Sequence, residues 1–149
     1  MLNRIALLLV SVWLGIVIAL GGIAAPAAFA VLERPLAGQV AGACFRVEAQ
    51  LALGFALALF LIHRRLAAQR AAAGRGSVVS AELLLVLGAL FCTVFGYFAL
   101  QPMMAAARAG QGSWSFGALH GASSALYLVK GVLLLALTWR SSRGAGQPV

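Results

Sequence analysis

Four apolar runs, over residues 5–32, 38–63, 80–101 and 116–139, constrain this chain more than anything else in it. Each is long enough to cross a bilayer, whose hydrocarbon core takes about 20 helical residues. In lipid every backbone N–H and C=O must be satisfied within the protein, which leaves helices or closed barrels. With 63% hydrophobic and 9% charged residues, the chain is far from an ordinary water-soluble domain, which carries about 25% charge. The pattern predicts a single all-α domain over residues 1–149, an integral membrane four-helix up-down bundle with short connections.

Each run carries its own punctuation. The first would span about 42 Å against a hydrocarbon core of about 30 Å, so it must tilt or bend. Pro26 would clash with the carbonyl of Gly22, which places the bend there. A signal peptide with Ala28-Phe29-Ala30 as cleavage site is the competing reading, disfavoured by the length of the apolar core. Pro35 suits the first turn of the second helix. Gly38 with Gly42, and Gly117 with Gly121, form GxxxG motifs expected to let another helix approach closely, and the stripe Gly88, Cys92, Gly96 should face a neighbour. Residues 64–79 read as a basic exposed loop with a further helical turn or two. Pro102 is expected to stop the third helix, and the polar tail over 141–149 to be disordered.

The net charge of +8 comes from 11 Lys and Arg against 3 acidic residues. The arginines punctuate hydrophobic runs and do not form the patch of a soluble nucleic-acid binder. Arg4, Arg64, Arg65, Arg70, Arg75, Arg140 and Arg143 fall on one side, Arg34 and Arg108 on the other. The positive-inside rule then predicts a multi-pass protein of the plasma (inner) membrane with both termini cytoplasmic.

Ionisable groups inside such runs are costly and need a partner, water or a function to keep them. Counted from the outer helix ends at 1.5 Å per residue, His120 lies about 6 Å deep, Cys44 about 9, Arg46 and Cys92 about 12, Glu48 about 15 and Lys130 about 21. Glu48 is too short to escape, so it is either protonated or meets a donor from another helix; Arg46 of a second subunit, His120, Tyr127 and Lys130 are candidates. Arg46 can snorkel to the surface. Lys130 can reach the cytoplasmic side or pair with Glu82, which is the plainer reading. His120, Ser123, Ser124 and Tyr127 recur at helical spacing as a polar stripe, usable for helix-to-helix hydrogen bonds or for a ligand or proton path. Cys44, Cys92 and His120 have the chemistry of a soft-metal site, with plain packing as the alternative. His63 and His120 lie at opposite ends, so they cannot flank one haem. No nucleophile, base and acid set is visible, and the chain has no Asp, which speaks against familiar hydrolase chemistry.

Gly21-x-x-Ala24-Ala25-Pro26-x-x-Phe29, Ala37-Gly38-x-x-x-Gly42-x-x-Phe45 and Phe116-x-x-x-His120-Gly121-x-Ser123 together resemble the family described as domain of unknown function 4149, which includes transmembrane protein 205. The likeness runs from about Ile5 to Trp139. It implies the same four spans, with Pro26, Phe29, Gly38, Phe45, His120 and Ser123 as family positions, in a family whose eukaryotic members are implicated in drug or metal resistance and in secretion.

The leading expectation is a non-enzymatic membrane protein that binds or conducts a small solute or cation at an outward-facing polar site. Glu48, His120, Arg46, Ser123, Tyr127 and Lys130 would form it, in a chain partnered by lipid and by copies of itself or another membrane protein. The sequence requires no cofactor. The alternatives are a redox protein holding haem or a soft metal through His120, and a structural subunit of a membrane complex.

Overall fold

A computed structural model describes residues 1–145, and all the regular structure among them is helical. Helix α1 (Leu2–Ile18) runs through a π turn (Ala19–Ala24) into α2 (Ala25–Val31). Helix α3 covers Arg34–Ala72. Helix α4 (Ala81–Thr93) passes through a second π turn (Val94–Ala99) into α5 (Leu100–Arg108), and α6 covers Phe116–Ala145. The result is four spans long and apolar enough to cross a membrane: Leu2–Val31, Arg34–Ala72, Ala81–Arg108 and Phe116–Arg143.

The bend expected at Pro26 is taken up by a wide turn. A π turn lets the helix drop the hydrogen bond that the proline ring cannot make. Pro26 then falls in the first turn of α2, where its missing N–H costs nothing. The same device corrects the expectation for Pro102. It does not stop the third span, because the second π turn ends just before α5 and leaves Pro102 in that helix's first turn.

Two further boundaries differ from expectation. Helix α3 continues past His63-Arg64-Arg65 through Ala72, on a run of good helix formers. Gly74 and Gly76 end it, with φ of +69° and +105°, angles that glycine adopts without strain. Ser80 then opens α4 by accepting from the Leu83 N–H at 3.3 Å. Residues 141–145 of the tail read as disordered belong to α6, and 146–149 lie outside the described residues.

The main core joins all four spans. Trp13, Val10 and Val17 of α1 meet Ala52, Ala56 and Leu59 of α3, Val86 and Ala89 of α4, and Leu134 and Leu137 of α6. Alanines on α3 let the indole of Trp13 lie flat against that helix, stacked on Phe55 with centroids 6.0 Å apart. A smaller cluster of Leu100, Met104 and Leu119 closes the opposite end of the third and fourth spans.

The glycines that mediate close approach are not those of the GxxxG motifs. A Cβ at Gly38, Gly42, Gly117, Gly121 or Gly22 would meet nothing within 4 Å. At Gly21, in contrast, it would sit 2.8 Å from Tyr127 Cε1, at Gly96 3.1 Å from Leu126 Cβ, and at Gly88 3.1 Å from Leu133 Cδ1. The stripe on the third span therefore faces α6. The first and third spans both press on that last helix.

Candidate functional site

Three helices converge on one carboxylate. Glu48 of α3 accepts from Lys130 Nζ of α6 at 2.8 Å on both oxygens, and from Trp13 Nε1 of α1 at 3.3 Å on Oε1. The side chains of Glu48 and Lys130 are each 3% exposed, so the pair is removed from solvent and largely answers its own charge. By residue count Lys130 lies about 6 Å deeper than Glu48. A lysine side chain reaches that far and leans toward the N-terminus of its own helix, which here is toward the level of Glu48.

Glu82, the plainer partner expected for Lys130, is instead held by Arg140 Nε at 2.9 Å, with Arg70 Nη1 at 4.0 Å. Arg46 is exposed on another side of α3. The Lys130 ammonium also lies 4.5 Å from the centroid of Tyr127, whose ring meets Phe45 edge-on at 5.1 Å. It thus sits between a carboxylate and an aromatic face, both of which attract a cation.

The polar stripe of α6 divides its work. Tyr127 Oη donates to the Val17 carbonyl at 2.9 Å, and Ser123 Oγ to the Gly96 carbonyl at 2.7 Å. Val17 lies two residues before the first π turn and Gly96 lies inside the second. Wide turns expose carbonyl oxygens to neighbouring side chains, and these two hydroxyls answer them. Both are therefore spent on joining α6 to the first and third spans.

Glu48 and Lys130 border a cleft of about 120 Å³ that also touches Cys92, Tyr97, Gln101, Met104 and His120. One water needs roughly 10–15 Å³ of such space, so the cleft can take several waters or a small solute. His120 is exposed at its rim and stacks on Phe116 with centroids 5.6 Å apart. The soft-metal set does not assemble. Cys92 and His120 border the cleft and Cys44 does not, and no three His, Cys, Asp or Glu side chains gather among the described residues. His63 is buried near the far ends of the spans, beside Arg70 and Glu82.

Sequence reasoning missed Trp13, Tyr97 and Gln101. A signal existed for Trp13, because an indole N–H in the middle of an apolar span must find an acceptor.

Fold and site together define a small bundle of four helices, long and apolar enough to span a membrane, with an ion pair buried beside a polar cleft. The chain belongs to the family described as Domain of unknown function (DUF4149), which it matches over residues 8–113. The matched stretch holds Trp13 and Glu48, while Lys130, Tyr127 and His120 follow it. No curated protein and no solved structure matches the chain.

Proposed function

We propose that the cleft is a binding site for a small organic cation carrying an ammonium group, in a multi-pass membrane protein whose termini face the cytoplasm. The supporting observation is the position of Lys130: its ammonium rests on Glu48 and on the ring of Tyr127, at the edge of a cleft with room for a solute. Lys130 occupies the place such a ligand would take. A buried ion pair is seldom the most stable way to fill a core, since well-packed apolar residues of equal volume do as well or better. Its retention fits a carboxylate that exchanges one cation for another. An entering ammonium would displace Lys130 from Glu48, and Lys130 would turn toward Cys92 and Thr93 along the same cleft.

On the positive-inside reading the cleft lies in the half of the bundle away from the cytoplasm. The open faces at Gly38 and Gly42, and at Gly117 and Gly121, suit contact with a second copy.

The test is methylammonium titrated calorimetrically against the purified full chain in detergent, and against Glu48→Gln. Saturable binding that Glu48→Gln abolishes supports the reading. Absence of binding to the unaltered protein, or equal binding to both, overturns it.

A further inference from the structure

A second polar site closes the basic end of the bundle, and it is independent of the cleft. Glu82 lies in the first turn of α4, Arg70 in the last turn of α3, Asn3 at the start of α1, and Arg140 with Ser141 near the end of α6. Glu82 is shared by two guanidinium groups, Arg140 Nε at 2.9 Å and Arg70 Nη1 at 4.0 Å. One carboxylate against two arginines leaves a positive excess. Both arginine side chains are about half exposed, and each keeps N–H groups free for another acceptor.

Beneath them is a pocket of about 20 Å³ bordered by His63, Ser141, Asn3 and the three charged residues. His63 and Ser141 are 5% and 7% exposed, and neither His63 Nε2 nor Ser141 Oγ has a hydrogen-bond partner within the protein. Two buried polar atoms without partners are costly, and together they ask for an oxygen between them. The pocket has room for one such atom. Arginines beside it favour an anionic oxygen that presents further acceptors to their forked donors.

The site also stands at the right level. Asn3, Glu82 and Ser141 fall within the first or last turn of their spans, the level at which a helix that crosses a bilayer would leave the hydrocarbon for the headgroups. Arg4, Arg64, Arg65 and Arg143 are exposed around the same end and add to its positive field.

We propose that this end of the bundle binds a phosphate group, from an anionic phospholipid headgroup or from free phosphate. One phosphate oxygen is received by His63 and Ser141, and the others are held by Arg70 and Arg140. Glu82 keeps the two arginines aimed at the pocket and balances part of their charge when the site is free.

The full chain is tested in nanodiscs with phosphatidylglycerol or phosphatidylcholine as the added lipid, using native mass spectrometry and the imidazole NMR signals of His63. Inorganic phosphate against chloride at equal ionic strength forms a separate arm, read by thermal shift and the same signals. The unaltered protein should retain phosphatidylglycerol about tenfold better than phosphatidylcholine, with His63 signals moving on binding. Arg70→Gln with Ser141→Ala should lose that preference, and Arg65→Gln, a change of equal charge outside the pocket, should keep it. Where the double variant fails to fold, Ser141→Ala alone should still abolish the His63 response. A response to inorganic phosphate without lipid preference assigns the site to the free ion, and lipid preference without that response assigns it to a headgroup. No preference and no response overturns the proposal, as does an equal loss on Arg65→Gln, which would mean diffuse surface charge.

Discussion

The Lys130 ammonium lies 2.8 Å from both carboxylate oxygens of Glu48, with each side chain 3% exposed. Such a pair fails asymmetrically. Removing the cation alone strands a carboxylate away from water, so Lys130→Met should destabilise the protein by about 3–5 kcal/mol. Removing both charges, as Glu48→Gln with Lys130→Met, should recover most of that loss. Chemical denaturation in detergent checks both, and equal stability of Lys130→Met and the unaltered protein would contradict the geometry. On the proposed function, methylammonium should raise the melting temperature of Lys130→Met more than that of the double variant, because only the former keeps the empty carboxylate.

Trp13 tests the third arm of the same site. Trp13→Phe keeps most of the apolar contact with Phe55 and removes the donor to Glu48 Oε1, so a loss of about 1–2 kcal/mol is expected. Trp13→Ala should cost more, about 3–5 kcal/mol, because it also opens a cavity in the main core. A Phe variant as damaged as the Ala variant would show that the hydrogen bond dominates the packing.

These residues show how far the sequence could be read. The four spans were legible because a bilayer demands a length of apolar chain that little else demands. The need of Glu48 for a partner was legible too, from the cost of a charge in oil, and Lys130 stood among the candidates. Its selection was not legible, because counting residues along an axis ignores the reach and lean of a lysine side chain. Which glycines pack within the chain was not legible, for a different reason. Small residues permit a close approach without naming a neighbour, and the approach occurs at Gly21, Gly88 and Gly96. The two prolines pointed to irregular turns, yet whether a helix stops or widens depends on what packs beside it. Here hydroxyls of α6 meet a carbonyl two residues before the first π turn and another inside the second.

Glycine substitutions separate the two kinds of position. Gly21→Ala would put a methyl group 2.8 Å from the Tyr127 ring and should cost about 1–3 kcal/mol, with Tyr127 moving away from Val17. Gly38→Ala and Gly117→Ala meet open space and should leave the fold of a single chain within about 0.5 kcal/mol. Thermal unfolding of the three variants in detergent gives the comparison. Size-exclusion chromatography of the last two adds a second readout, since a change in assembly without a change in stability would place a partner copy on those faces.

His120 is set apart from its neighbours on α6 by having an exposed ring at the cleft's rim. Its stack on Phe116 is a surface contact, and Phe116 also carries Arg108 at 4.4 Å from its ring centroid. Replacing His120 by Ala should therefore change stability by no more than about 0.5 kcal/mol. Tyr127→Phe should be costlier, about 1–2 kcal/mol, because it leaves the Val17 carbonyl without its donor while keeping the ring face under Lys130. Methylammonium affinity should follow the opposite order. His120→Ala removes a polar group at the mouth of the cleft and should weaken the probe severalfold, whereas Tyr127→Phe retains the cation-attracting ring and should bind it nearly as well. Measured side by side by denaturation and calorimetry, the crossing of the two orders distinguishes a ligand site from a polar seam that only fastens helices.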